Sequence, residues 1–248
     1  MKKPAYRFPE ELAEGVILSR PNRFIMMVRV GRQTVRCHCP TTGRIGDIIL
    51  RDVPCLLSKS ARKERKTAYT VEALSLDPPS CRNKGWIGIN QTRANEYVAF
   101  FIRNNALTRM AGKGHMEREK PLGHSRIDFV IRGPKGDTYM EVKTPLISLP
   151  ASKGIKTAKH SRFDSFERLI KHFGDLARSV RGGSRAIVLL CYLYDASRFH
   201  PPAPDSNSSR IQRAARLAER SGVENWQINL RMDKRGVSLI RYFRLKLW

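Results

Sequence analysis

Acidic residues are scarce in this chain. Only 22 Asp and Glu stand against 47 Lys and Arg in 248 residues, giving a formal net charge of +25 and a pI near 10.6. A surplus of that size points to a polyanionic partner, most often nucleic acid and less often an anionic membrane surface. Long apolar runs are lacking too. None approaches the roughly 18 residues of a spanning helix, and the first eight residues, MKKPAYRF, have no apolar signal core. Membrane association is thus the weaker reading, and a cytoplasmic protein is expected. Cysteine is sparse, five in all and odd in number, which argues against a disulfide framework and for a reducing compartment. What is present suffices for folded cores: hydrophobic residues make up 41% and aromatics 8%. The length predicts one large or two small domains.

Four of the cysteines invite a zinc reading, since Cys37, His38 and Cys39 are adjacent and Cys55 and Cys81 follow. The spacing does not fit, because a knuckle needs C-x₂₋₄-C. In a strand over 34–39 the side chains of Cys37 and Cys39 point the same way, so buried free thiols are expected. Further strands are expected at 16–18, 24–30, 47–50, 55–58 and 67–76, a spacing that fits a small barrel. The basic loop 59–66, with Arg62, Lys63, Arg65 and Lys66, is either a solvated loop or a phosphate contact beside that barrel. Asp77-Pro78-Pro79-Ser80 reads as a linker. A helix is expected over 95–107, with Val98, Phe101, Ile102 and Asn105 on one face.

The stretch from Glu119 to Thr144 carries the chemistry. Strand-like runs at 125–131 and 138–144 flank Gly133, Pro134 and Gly136, which predicts a hairpin. Alternation puts Arg126, Asp128 and Val130 on one face, and Tyr139, Glu141 and Lys143 on one face of the next strand. Closing the hairpin brings two carboxylates and an ammonium together. Mg²⁺ or Mn²⁺ is the expected cofactor, since hard cations take one or two carboxylates plus water and substrate phosphate. Asp128 and Glu141 are the expected ligands, and Lys143 would hold or help deprotonate the attacking water. Glu119, expected near a helix end, would complete the shell. The plainer alternative is a hairpin with a solvated charged face.

Beyond residue 144 the pattern turns α/β. Phe163, Phe166, Leu169, Ile170, Phe173, Leu176, Ala177 and Val180 recur at helical spacing and stop at Gly182-Gly183. Residues 185–194 are nearly all apolar, as in a strand buried on both faces. A second amphipathic helix is expected over 205–221, ended by Gly222, then a strand through Trp226, Ile228 and Leu230. The tail from Asn229 reads as a basic edge strand.

In this order the residues resemble the sugar fermentation stimulation protein A (SfsA) family. The shared segments are Ser19-Arg20-Pro21-Asn22-Arg23-Phe24, His38-x-Pro40-x-Thr42-Gly43-Arg44 and Gly88-Ile89-Asn90-Gln91-Thr92 with Ala94-Asn95. They continue with Glu119-x₃-Gly123, Ser125-Arg126-x-Asp128-Phe129, Glu141-Val142-Lys143, Arg198-Phe199-x-Pro201 and Gly222-Val223. The resemblance implies an α/β (α+β) protein: an N-terminal OB-like β-barrel, taken as residues 1–80, then a PD-(D/E)xK restriction-endonuclease-like α/β domain, 81–248. It assigns Asp128, Glu141 and Lys143 to the catalytic positions and Glu119 to the accessory acid. Two departures stand out. Pro40-Thr41-Thr42-Gly43 replaces a Pro-Asn-Thr-Gly, and the family's Thr-x-Arg-Gly-x-Lys-His run, sought at 156–165, matches poorly.

The expected activity is metal-dependent hydrolysis of phosphodiesters in DNA or RNA. Sequence-independent contacts are expected from Arg20, Arg23, Arg44 and Arg126, from Arg62, Lys63, Arg65 and Lys66, and from Lys159 and Arg162 at the helix entry. The alternative is a catalytically silent DNA-binding regulator. The oligomeric state is open, with a homodimer among the options.

Overall fold

In the computed structural model, residues 4–41, 43, 45–46, 48–60, 64, 66–146, 149, 166–201 and 208–247 are described, without the side chains of 166–171 and 208. The chain opens with a short strand, β1 (Ala5–Arg7), and then builds the barrel. Its strands are β2 (Ala13–Asn22), β3 (Ile25–Val30), β4 (Gln33–His38), β5 (Pro54–Lys59) and β6 (Tyr69–Leu74), paired in the order β4-β3-β2-β5-β6. A parallel pairing of Cys37 with Tyr69 and His38 with Thr70 joins β4 to β6 and closes the ring. Strand alternation fills it: Ile17, Met26, Val28, Cys37, Cys55, Leu57 and Val71 all point inward and are buried. Cys37 and Cys39 lie in that core as free thiols, and burial pushes the Cys37 thiol up to about 11. Among its described residues, 48–50, the strand expected at 47–50 does not form. Ile48 makes an isolated bridge, and Ile49 and Leu50 make no ladder bonds.

A two-residue strand, β7 (Ile87–Gly88), extends the barrel sheet from β6 and leads into α1 (Gln91–Arg103) and α2 (Thr108–Ala111). Gly88 is required where barrel and second sheet meet, because a Cβ there would stand 2.5 Å from the Cβ of Leu193. The second sheet follows: β8 (His115–Leu122), β9 (Ser125–Gly133), β10 (Gly136–Lys143), α3 (Phe166–Arg181), β11 (Arg185–Tyr192), α4 (Ser208–Arg220), β12 (Glu224–Met232) and β13 (Gly236–Leu245). Its order is β1-β13-β12-β11-β10-β9-β8. β10, β11 and β12 run parallel, which demands crossovers, and α3 and α4 supply them. α1 packs on one face through Ala94, Tyr97, Val98 and Phe101. α3 and α4 cover the other, with Phe173, Leu176 and Ala218 over Ile127, Val130 and Val188.

Two expectations change. The tail is not simply an edge, because β13 lies between β12 and β1, and only its part beyond the β1 pairing at 236–238 is uncovered. The expected helix at 95–107 starts four residues earlier and stops at Asn104, where Asn105 turns to φ +56° and α2 begins. Side chains also pack across residue 80. Phe8, Leu12, Leu56 and Ala73 share a core with Tyr97, Phe101 and Trp226, and Tyr192 and Tyr194 pack into the barrel cluster.

Candidate active site

The site forms where one ladder stops and another skips a step. β9 and β10 pair from Gly133–Gly136 down to Phe129–Met140 and then part. Past that point Asp128 replaces the missing ladder partner: its Oδ2 accepts the backbone N–H of Val142 at 2.7 Å. On its other side the β8–β9 ladder pairs Arg118 with Phe129 and Lys120 with Ile127 but skips the step between Glu119 and Asp128. Glu119 there adopts φ +55°, costly for a residue with a Cβ. The Asp128 carboxylate is then held from α1, where Asn95 Nδ2 donates to its Oδ1 at 2.8 Å. Gln91, one turn earlier on α1, donates from Nε2 to Thr144 O at 2.6 Å and fixes the end of β10.

Glu141 follows Met140 on β10, is 3% exposed, and faces α3. Lys143 Nζ donates to its Oε1 at 2.6 Å, and His172 Nδ1 meets the same oxygen at 2.5 Å. Its Oε2 is buried and has no hydrogen-bond partner among the described residues. Burial is the largest influence on this carboxyl and pushes its pKa up, yet His172 and Lys143 together outweigh it and the net direction is down. Asp128 goes the other way. Burial first, and then the Glu141 charge, raise it against the Val142 amide, Asn95 and Lys143. One carboxylate is thus held ionised beside another that resists ionising, the condition a divalent cation relieves.

The residue pattern brings Asp128, Glu141 and Lys143 together as expected. Glu119 is placed differently from its expected helix end: it sits exposed within β8, and among the described residues no three or more of His, Cys, Asp and Glu gather as a metal group. Two carboxylates with one orphaned buried oxygen remain, and that donor set suits Mg²⁺ or Mn²⁺, which keep waters and take substrate phosphate. His172 escaped sequence reasoning. In the sequence it falls within the apolar helical spacing between Leu169 and Leu176, and a polar residue in that spacing was the available signal. The Lys-His pair at 159–160 lies outside the described residues, and a second Lys-His pair, Lys171-His172, falls in α3.

Among the other candidates, Arg20 is spent on structure. It donates to the carbonyls of Thr41 at 2.6 Å, Gly43 at 3.1 Å and Arg23 at 3.1 Å, clasping the β4–β5 connection. Arg23 is exposed and lies over the Phe24 ring, 4.7 Å from its centroid. Lys66 and Arg126 are exposed. Arg44, Arg62, Lys63, Arg65, Lys159 and Arg162 lie outside the described residues. Among the described residues no helix is long and apolar enough to cross a membrane.

Comparison with known proteins bears on both halves. Residues 18–89 match the family model "SfsA N-terminal OB domain", and 92–236 match "Sugar fermentation stimulation protein RE domain". A sugar fermentation stimulation protein homolog of Methylobacterium nodulans is 32% identical over 239 residues, 95% of this chain and 97% of that protein. One from a Synechococcus strain is 29% identical over 234 residues, covering 94% and 92%. The structure titled as Pyrococcus furiosus SfsA in complex with Ca²⁺ superposes with a TM-score of 0.75 at 20% identity, covering 100% of this chain and 99% of that one. The barrel is accordingly an OB fold, and the two-part architecture is that of the archaeal protein.

Proposed function

We propose that this chain, which belongs to the sugar fermentation stimulation protein family, is a metal-dependent phosphodiesterase acting on nucleic acid. The observation that carries the reading is the Oε2 of Glu141, without a partner among the described residues and buried beside the raised carboxyl of Asp128. A buried acceptor left unmatched costs about 1–3 kcal/mol, and a shared cation would satisfy it. Asp128 and Glu141 would hold Mg²⁺ or Mn²⁺, which supplies an acidified water and charge neutralisation at the phosphate.

The protein's own groups do the rest. Asn95 and the Val142 amide fix Asp128, while His172 fixes Glu141. Lys143, half-exposed on the same strand, is placed to orient the attacking water and to offset the charge that builds on the phosphate. Water's oxygen bonds to phosphorus as the water gives up a proton to solvent, the ester P–O bond breaks, and the departing alkoxide takes a proton back from solvent, leaving an alcohol and a phosphate monoester. The OB barrel and the +25 charge support nucleic acid as the polyanion.

Calorimetric titration with Mn²⁺ tests the metal site. Binding near one ion per chain is expected for the wild type, with affinity lost in Glu141→Gln and Asp128→Asn and kept in Lys143→Ala. Unchanged affinity in the first two variants would refute it.

A further inference from the structure

Two of the shared segments, 38–44 and 88–92, meet at a cavity away from the carboxylates. It measures about 340 Å³ and is lined by His38 and Pro40 after β4, Ser58, Lys59 and Ser60 at the end of β5, Thr70 and Glu72 of β6, and Asn90, Thr92 and Arg93 at the start of α1. Thr41 pins the first segment to the second by donating to Ile89 O. The wall is polar. Its one carboxylate, Glu72, is 1% exposed and internally satisfied: Ser58 Oγ donates at 2.5 Å, Asn90 Nδ2 at 2.8 Å and Arg93 at 3.3 Å. Arg93 is further committed to Glu96 and to the Tyr6 hydroxyl. Lys59 is exposed and has no ion-pair partner among the described residues, so the cavity presents an unbalanced positive charge beside hydroxyls and an amide.

The position relative to the carboxylates decides what such a cavity serves. Asn90, Thr92 and Arg93 line it, and Asn95 on the same helix holds Asp128. From Asn90 to Asn95 a helix advances about 7.5 Å. That is a step of one or two nucleotides along an extended strand, whose phosphates repeat every 3.4 Å of axis even when wound in a duplex. Pockets for small organic ligands run from roughly 300 to 1,000 Å³. The volume here admits one nucleotide and not a base pair with two backbones.

We infer that this cavity is a subsite for a single unpaired nucleotide flanking the scissile phosphate, so that barrel and α1 grip one strand together. The inference rests on the phosphodiesterase reading and narrows its substrate to single-stranded nucleic acid. Lys59 takes the phosphate, and the Ser60, Thr70 and Thr92 side chains meet the sugar or base edge.

Fluorescence anisotropy in excess chelator tests the subsite without turnover. The probes are a labelled single-stranded oligodeoxynucleotide and the same strand in duplex, with wild type and Asp128→Asn run in parallel. The single strand should bind about tenfold tighter than the duplex in both. Thr92→Leu, which fills the cavity without changing charge, should weaken the single strand about tenfold and leave the duplex unchanged. Lys59→Glu should cost the single strand more than the duplex. Equal binding of the two probes overturns the inference, as does a Thr92→Leu variant that binds both as wild type does. A strand preference without cleavage in Mn²⁺ would instead remove the phosphodiesterase reading alone.

Discussion

His172 and Glu141 meet at 2.5 Å, one from α3 and one from β10, both almost wholly buried. The imidazole fixes the carboxylate's rotamer and, with Lys143, keeps it ionised against burial. Partners that orient a metal ligand typically contribute ten- to a hundredfold to affinity or activity. His172→Ala should therefore weaken Mn²⁺ binding by about that factor, and His172→Asn, which can still donate, should recover part of it. Loss of the donor also lifts the Glu141 pKa, so the acid limb of any pH–activity profile should move toward neutrality. An unchanged limb and affinity would make His172 a packing residue only.

Asp128 is expected to cost the metal-free protein stability at neutral pH. Burial, and next the Glu141 charge, raise its pKa in the fold. The folded state thus favours the neutral acid, and its stabilising contribution is present in acid and lost as pH rises through the raised value. Asp128→Asn should then melt roughly 2–4 °C higher than wild type at pH 7 without metal, the shift expected for about 1 kcal/mol in a chain of this size. Asn95 can turn its amide to keep both hydrogen bonds. Mn²⁺ should raise the wild-type melting temperature and leave the variant's unmoved. Calorimetric melts with and without Mn²⁺ measure both.

The two halves are expected to fold together. Phe8 and Leu12 sit in the core that holds Tyr97 and Phe101, and β1 completes the second sheet. A fragment of residues 84–248 should aggregate or lack dispersed amide signals. In the full chain Phe8→Ala should lower stability by about 3–5 kcal/mol, read from urea unfolding. A fragment with a well-dispersed spectrum would instead support independent folding on either side of a border near residue 80.

Most of this architecture was legible where side-chain period is strong. The barrel strands, the hairpin bearing Asp128 and Glu141, the α3 stripe and the buried β11 all follow from alternation or helical spacing. What stayed hidden has physical reasons. β1 and β7, at three and two residues, are too short to show a period. β8 is the sheet edge, so His115-Met-Glu-Arg-Glu-Lys-Pro-Leu122 carries charge and a proline in place of alternating apolar residues. Asn95 and His172 reach the carboxylates from helices distant in sequence, and only the packing of α1 and α3 against the sheet brings them there. Arg20 read as a surface cation because its carbonyl partners lie in a loop of no regular pattern.

Binding to nucleic acid should be salt-sensitive and nearly indifferent to sequence. Each phosphate neutralised releases condensed counterions, so log K should fall linearly with log salt, with a slope of about −0.9 per contact on duplex DNA and about −0.7 on single strands. Removing one exposed contact, as in Arg23→Ala or Lys66→Ala, should reduce the slope by about one such increment. A flat response between low and moderate salt would show that the charge serves another partner.

Cleavage of end-labelled single- and double-stranded DNA and RNA, with Mg²⁺ or Mn²⁺ and again in excess chelator, tests the central claim most directly. The account predicts products from wild type with metal, none in chelator, and none from Asp128→Asn, Glu141→Gln or Lys143→Ala, which should still bind the labelled strand. Equal cleavage in chelator, or no cleavage by a wild type that binds strongly, would contradict it and leave a nucleic-acid-binding regulator as the better description.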